Sequence, residues 1–224
     1  MAIAKTKPKR AKGFSPETAA EMFRRLAKAR PDPKTELDYK DPYTLVVAVA
    51  LSAQATDVSV NKATKGLFKA ANTPAKMVAL GEEGVAEHIR TIGLWRGKAK
   101  NIVALSKIIL EKHGGVTPRT REELVALPGV GHKTASVVLN EAYGEATIAV
   151  DTHVFRVSNR TGLAPETTPE KVEAKLLRVV PEKYKKGAHH WLILHGRYTC
   201  LARKPGCLEC VIRDLCEYEA KTGE

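Results

Sequence analysis

All four cysteines of this 224-residue chain fall within its last 25 residues, and this clustering constrains the fold more than any other feature of the sequence. They are Cys200, Cys207, Cys210 and Cys216, spaced C-x6-C-x2-C-x5-C. Pro205 and Gly206 interrupt the segment, which favours a loop over a long helix. Four thiols on one short loop can wrap a single centre, so the sequence predicts a metal site here.

Three kinds of centre are compatible with the spacing. Structural zinc sites generally pair two C-x-x-C knuckles, and this loop has only one. A single knuckle with unequal flanking intervals favours an iron–sulfur cluster. Two disulfides are the third possibility, which the expected reducing cytosol disfavours.

The charge is strongly positive, with 37 Lys and Arg against 25 Asp and Glu, for a formal charge of +12. Five of these positive charges lie in the first twelve residues, and the remainder is basic in its own right. This positive charge indicates a polyanionic partner, and nucleic acid is the first candidate. The alternative is that the charged surface serves only to keep the protein soluble. We expect residues 1–13 to form a disordered basic tail, either a nonspecific DNA-binding arm or a solvated extension.

Helix signals run through the whole chain and predict an all-α fold. Ser15-Pro16, Asp41-Pro42, Thr73-Pro74 and Thr168-Pro169 each place a capping side chain before a proline at the first helical position. The longest apolar run, Leu45–Leu51, is far shorter than the roughly 20 residues that span a bilayer. The predicted helices cover 16–29, 42–53, 57–70, 74–79, 82–89, 97–113, 121–126, 132–143, 152–160, 169–179 and 184–197.

Residues 127–135 read Leu-Pro-Gly-Val-Gly-His-Lys-Thr-Ala and indicate a helix–hairpin–helix. Leu127 and Val130 can anchor the turn in a core. Gly129 and Gly131 leave backbone N–H groups bare beside a helix N-terminus, which makes a phosphate cradle. A cradle of this kind binds DNA without reading its sequence. The alternative is a simple corner between two helices, with the glycines required only for packing.

Lys133 falls in the first turn of the second hairpin helix. The positive end of the helix dipole favours its neutral amine, which could attack an aldehyde carbon and form a Schiff base. A phosphate-binding lysine is the equally weighted alternative. Asp151 follows 18 residues later and could cap a helix, with its carboxylate orientation thereby fixed for catalysis.

Together, these motifs closely resemble the bacterial endonuclease III family of the helix–hairpin–helix, Gly/Pro-rich loop, Asp superfamily. The resemblance extends to the segments 51–57, 147–153 and 190–197, and covers about residues 14–220. It implies an all-α fold of two domains with a cleft between them. A six-helix barrel would occupy 35–145, with the hairpin at about 121–143, and 14–34 plus 146–224 would form a 4Fe–4S cluster domain.

The resemblance also implies the activity, that of a DNA glycosylase and abasic-site lyase for duplex DNA with oxidised pyrimidines. Lys133 would be the nucleophile and Asp151 its paired carboxylate. The other implied site residues are Gln54, Leu94, Gly129, Val130, Gly131, His132 and Thr134 on DNA, and Asp57 and His153 in the pocket. The four cysteines would hold the cluster. We expect a monomer that acts in the cytoplasm on nucleoid DNA, without a membrane partner.

Two relatives and one unrelated class compete with this interpretation. Adenine-mismatch glycosylases share the fold but typically lack the lysine, and Lys133 also disfavours a thymine-mismatch glycosylase. A noncatalytic hairpin module would bind DNA without Lys133-dependent chemistry. The sequence departs from the family at His132, where arginine is common, so we expect a modest loss of salt-dependent affinity.

Overall fold

The computed structural model describes residues 13–223, and every regular element in that range is an α-helix. The predicted all-α class is confirmed. The predicted basic tail lies outside the described residues apart from Gly13. No helix within residues 13–223 combines the length and apolar character that crossing a membrane requires.

Ten helices are present in the described part of the chain. They are α1 (Pro16–Ala29), α2 (Pro42–Leu51), α3 (Asp57–Ala70), α4 (Pro74–Ile89), α5 (Trp95–Lys112), α6 (Arg121–Val125), α7 (His132–Tyr143), α8 (Thr152–Thr161), α9 (Pro169–Val179) and α10 (Glu182–Tyr198).

Capping side chains set four of the helix starts, as the sequence predicts. Ser15, Thr73 and Thr168 each accept a hydrogen bond from a first-turn N–H group, ahead of a proline. Asp41 forms a reciprocal capping box with Thr44 at the start of α2. These helix starts are therefore fixed by a few neighbouring residues, without help from tertiary contacts.

Several helix boundaries differ from the prediction by one or two residues or by a merged element, and three of the differences have a local explanation. The predicted helices 74–79 and 82–89 form one element, α4, with a kink at Gly81, where φ is 71° and ψ is 173°. Helix α5 begins at Trp95 because the Lys98 N–H donates to the Leu94 carbonyl at 3.1 Å. Helix α10 begins at Glu182, directly after Pro181.

Contacts divide the chain into two compact units, and the first to consider is Lys34–Thr147, which holds α2 to α7. Helix α2 is its central element, because every residue from Tyr43 to Leu51 is buried. A helix that is apolar on all sides must be surrounded by others. Helices α3, α5 and α7 all contact α2.

The second unit joins the N-terminal segment to Ile148–Glu224, and its described part holds α1, α8, α9, α10 and the cysteine loop. Phe23 of α1 stacks with Tyr184 of α10, their ring centroids 6.0 Å apart. Trp191 packs against both rings and donates its indole N–H to the Arg30 carbonyl at 2.8 Å. This aromatic cluster joins the two sequence-distant segments of the unit.

Candidate functional site

The hairpin between α6 and α7 is anchored by two apolar side chains. Leu127 and Val130 are 2% and 4% exposed, and the Val130 N–H donates to the Leu127 carbonyl at 3.0 Å. Gly129 between them has a φ of 78°, a conformation that favours glycine. The anchoring that the sequence predicts for Leu127 and Val130 is confirmed.

Gly129 also allows a close approach from α5 that the sequence analysis did not anticipate. A Cβ atom at Gly129 would lie 3.0 Å from both the Cβ and the Nδ2 atoms of Asn101. A side chain at Gly129 would therefore require the Asn101 side chain to shift. Asn101 is missed by sequence reasoning because no local signal links it to a turn 28 positions away.

The N-terminus of α7 carries the residues on which the chemistry was predicted to depend. Its N-cap is Gly131, and no side chain caps it. His132 and Lys133 are exposed in its first turn, and Thr134 is half-buried. First-turn N–H groups have no partner within their own helix, so an uncapped terminus of this kind can accept an anion.

Arg121 is a second residue that the sequence analysis missed. Its Nη1 atom donates to Ser136 Oγ at 2.6 Å and lies 3.3 Å from His132 Nε2. A guanidinium therefore lies beside the hairpin helix at His132, the position where the family commonly has arginine. The Arg121 guanidinium therefore places a positive charge next to His132.

Gln54 and Leu94 share an unusual backbone conformation. Among residues 13–223 they are the non-glycine residues with positive φ, at 56° and 60°. This left-handed conformation costs about 1–2 kcal/mol for an L-residue. Both side chains are exposed, that of Leu94 at 68%. Strain of this kind tends to persist at functional positions.

Gln54, Leu94 and Gly129 line one cavity of about 610 Å³. Its wall comes from the end of α2, the first turns of α5 and the hairpin. The described residues that line it are Ala50, Ala53, Gln54, Leu94, Trp95, Arg96, Gly97, Lys98, Asn101, Ile102 and Gly129. Asp57, the first residue of α3, is half-buried and is not part of this lining.

Asp151 caps α8 in the other unit. Its Oδ1 atom accepts bonds from the N–H groups of His153 and Val154, both at 2.8 Å. These bonds fix the orientation of a half-buried carboxylate. His153 is also half-buried, with Nδ1 3.2 Å from an Arg156 guanidinium nitrogen.

The four cysteines line a single cavity in the same unit. All are half-buried free thiols, so none forms a disulfide. Burial raises the pKa of the Cys210 and Cys216 thiols and lowers the pKa of nearby His195 to about 4. Because metals bind the thiolate, metal binding here must displace protons.

Arginines from α8 hold the beginning of the cysteine loop. Arg156 donates to the carbonyls of Cys200 at 3.0 Å and Gly196 at 2.8 Å. Arg160 donates to the carbonyls of Leu201 and Ala202 at 2.7 and 2.6 Å. A further Arg160 N–H points to Cys200 Sγ at 3.8 Å. The loop backbone is therefore fixed around the thiols by neighbouring helices as well as by its own turns.

The end of the loop is held by α1. Arg25 donates to the Val211 carbonyl at 3.1 Å and to both carboxylate oxygens of Asp214 at 2.6 and 3.0 Å. This bidentate contact lowers the pKa of Asp214. Arg25, Arg156 and Arg160 are absent from the sequence prediction because their carbonyl partners lie far away along the chain.

The donor set suits a thiolate-bound group. Four cysteine thiols line one cavity, and a 4Fe–4S cube takes four cysteine thiolates as its ligands.

Comparisons with known proteins find DNA repair relatives. Residues 47–182 match the model of the HhH-GPD superfamily of base excision DNA repair proteins. Endonuclease III of Escherichia coli K12 is 60% identical over 201 residues, which cover 90% of this chain and 95% of the relative. Endonuclease III of Haemophilus influenzae is 57% identical over 201 residues, which again cover 90% of this chain and 95% of the relative.

A solved structure is also similar, that of a trapped covalent intermediate between endonuclease III and DNA in an estranged-adenine complex. It superposes with a TM-score of 0.85 at 42% identity, covering 91% of this chain and 96% of that chain.

The fold and the hairpin thus define a helix–hairpin–helix base excision DNA repair protein. Within that class the chain belongs to the endonuclease III family, so the family predicted from its motifs is confirmed. This family comprises DNA glycosylases that are also abasic-site lyases, and the chain is an enzyme of this kind. The family carries a 4Fe–4S cluster.

The backbone strain at Leu94 gives a stability test. We expect Leu94→Gly to be more stable than Leu94→Ala by about 1 kcal/mol, because both variants remove the side chain but only glycine relieves the positive φ. Urea unfolding measures the difference. Leu110 in helical α5 is the matched control, where glycine should be less stable than alanine by about 0.5–1 kcal/mol. The same order at both positions would contradict strain at Leu94.

Proposed function

We propose that this enzyme excises oxidised pyrimidines, of the thymine glycol type, from duplex DNA and cleaves the strand at abasic sites through a Schiff base on Lys133. The observation that carries this proposal is the position of Lys133, exposed in the first turn of α7 directly after the hairpin. The covalent DNA intermediate trapped with a relative supports it. Its place of action is the bacterial nucleoid.

The hairpin holds the DNA backbone. Gly129 and Gly131 keep the N–H groups near the turn accessible, and the uncapped N-terminus of α7 favours a phosphate. Val130 supports the turn from inside the core. His132 and Thr134 lie beside the same phosphate, and these contacts are independent of base sequence.

The reaction on the sugar uses the amine of Lys133. Its nitrogen attacks C1′, and the bond from C1′ to the damaged base breaks as the base leaves with a proton. The sugar ring then opens at the C1′–O4′ bond and leaves an iminium on Lys133. Removal of a C2′ proton expels the 3′ phosphate by β-elimination, and water finally hydrolyses the iminium to free the lysine.

Asp151 supports both halves of this sequence. Loss of the base develops oxocarbenium character on the sugar, which a carboxylate stabilises. The same carboxylate accepts a proton from the Lys133 ammonium, so that the amine can attack. Its two bonds to first-turn N–H groups of α8 set its orientation before substrate binds. Such preorganisation lowers the cost of reaching the reactive geometry.

Gln54 and Leu94 enter the duplex. Gln54 fills the gap that the extruded base leaves, and Leu94 wedges into the neighbouring base step. Their positive φ angles and exposure suit this role, because strained backbone conformations are enriched at functional positions. Unstacking one step costs a few kcal/mol, which contacts to the bent DNA offset. Asp57 and His153 line the pocket for the extruded base.

A 4Fe–4S cluster on Cys200, Cys207, Cys210 and Cys216 has a structural role in this proposal. When bound, it supplies four covalent ties between points of one loop. That loop presents Arg203 and Lys204, both exposed, for contact with phosphate. Arg25, Arg156 and Arg160 hold its backbone in place around the thiols.

The first test traps the iminium. Borohydride reduction in the presence of duplex DNA with thymine glycol or an abasic site should yield a covalent adduct, seen as a shifted band on a denaturing gel. Lys133→Ala should abolish the adduct, because no amine remains to attack C1′. Lys107→Ala, at an exposed lysine of α5, should leave it unchanged. An intact protein that forms no adduct would exclude the lyase activity.

A second test separates chemistry from binding at Asp151. Asp151→Asn keeps an oxygen that can cap α8 but loses the charge, so we expect affinity for abasic DNA within about twofold of wild type. Turnover should fall by roughly a hundredfold or more, since one preorganised electrostatic contact has an effect of that size. Single-turnover kinetics and anisotropy titrations measure the two. A parallel loss of binding would make Asp151 mainly structural.

A third test concerns the metal. The purified protein should be brown and contain iron and acid-labile sulfide in equal amounts, with the broad visible absorption of an iron–sulfur cluster. Cys207→Ala should lose iron and colour. Leu208→Ala, at a 67% exposed side chain in the same loop, should keep both. A colourless protein with one zinc ion per chain would overturn the cluster assignment.

A further inference from the structure

Lys98 is a buried lysine whose amine has no hydrogen-bonding partner among the residues that the structure describes. Only 8% of the residue is exposed, and its Nζ atom is buried with no hydrogen-bonding partner within the described part of the chain. Burial alone lowers its pKa. An ammonium carries three donors and no acceptor, and leaving it unpaired in the interior is costly. An unsatisfied buried group of this kind calls for a functional explanation.

The surroundings of Lys98 point to an anion. Lys98 lines the cavity of about 610 Å³ that Gln54 and Leu94 also line. Arg96 contributes a second positive charge to that lining, and no carboxylate is among the eleven lining residues. The cavity lining therefore carries positive charge that no carboxylate in the lining offsets.

The start of α5 adds a third, independent feature at the same place. This 18-residue helix has Leu94 at its N-cap and no side-chain capping bond. Its first N–H groups therefore have neither an intrahelical partner nor a capping side chain. A Cβ atom added at Gly97 would meet nothing within 4 Å, so the approach to this helix end is open. A helix N-terminus favours a negatively charged group.

We infer that the cavity at the N-terminus of α5 is a second phosphate site, in which a DNA backbone phosphodiester is held by the helix terminus, Arg96 and Lys98. Of the chemical groups in DNA, only the phosphate carries the negative charge that this lining lacks. The site would hold the DNA backbone next to Gln54 and Leu94. The two intruding side chains would then enter the duplex from a protein surface that is fixed on the DNA. The inference rests on the proposed function.

The decisive variant is Lys98→Met, which keeps the length and apolar stem and removes the charge. Affinity for a duplex with a non-cleavable abasic analogue is measured by anisotropy over a range of KCl concentrations. We expect binding about tenfold weaker. The slope of log K against log salt should become shallower by about 0.9, the contribution of one phosphate contact. Lys107→Met is the matched control, at a 63% exposed lysine of the same helix, and should keep the wild-type slope.

Thermal unfolding without DNA distinguishes ligand binding from a merely structural role. Lys98→Met should unfold at or above the wild-type temperature, because an apolar chain replaces an unpaired buried charge. An important structural contact would instead lower that temperature. Weaker DNA binding by an equally stable protein is thus the expected signature, and lower stability would overturn the inference.

A second arm identifies the source of the phosphate. Inorganic phosphate, titrated into DNA-free protein, should shift the amide resonances of Trp95, Arg96 and Gly97 in the wild type more than in Lys98→Met. Such shifts combined with an unchanged DNA salt slope would assign the site to free phosphate and overturn the DNA contact. Weaker DNA binding with an unchanged salt slope would indicate that Lys98 contacts a neutral group of the DNA, such as a base edge. That result would also overturn the phosphate contact.

The proposed function is tested by measurements on the wild-type protein, separately from the Lys98→Met comparison. Wild-type protein that binds abasic and undamaged duplexes alike and forms no borohydride adduct would refute that function. The phosphate site is judged only by the difference between Lys98→Met and wild type on the non-cleavable duplex.

Discussion

The apolar surface of α2 is the constraint on which the unit Lys34–Thr147 depends. A helix buried from Tyr43 to Leu51 has no side that can face water, so other helices must cover all of it. Three of its neighbours are α3, α5 and α7. The end of α2 leads into Gln54, α5 begins next to Leu94, and α7 begins next to Lys133. The packing of one apolar helix thereby fixes the elements from which the proposed DNA-binding residues project.

Local strain is concentrated where the surface would meet DNA. Gln54 and Leu94 adopt the conformation that glycine usually occupies, and both line the same cavity. Lys98 lines this cavity too, and its buried amine has no hydrogen-bonding partner among residues 13–223. Each feature destabilises the free protein, and each would be offset only when a duplex is bound. The proposed DNA-binding surface is therefore a strained part of the free protein.

The cysteine loop depends on long-range contacts in a similar way. It has no regular secondary structure, and its backbone carbonyls are held by guanidinium groups from α1 and α8. These donors fix the approach of the four thiols to one cavity. The same helix α8 begins with Asp151 as its N-cap. One short helix therefore carries the proposed catalytic carboxylate at its start and supports the loop farther along.

The sequence by itself determined whatever depends on neighbours along the chain. Ser15, Asp41, Thr73 and Thr168 define helix starts because a cap and a following proline act within one turn. The hairpin glycines and the family motifs are equally local in sequence. Only the tertiary structure decided which distant groups meet. Asn101 packs against Gly129, and Arg156 and Arg160 reach the cysteine loop. Lys98 is buried with no hydrogen-bonding partner within residues 13–223. These outcomes depend on how the helices pack against one another. The local sequence around a helical lysine is compatible with an exposed amine and with a buried one, so only the packing decides between them.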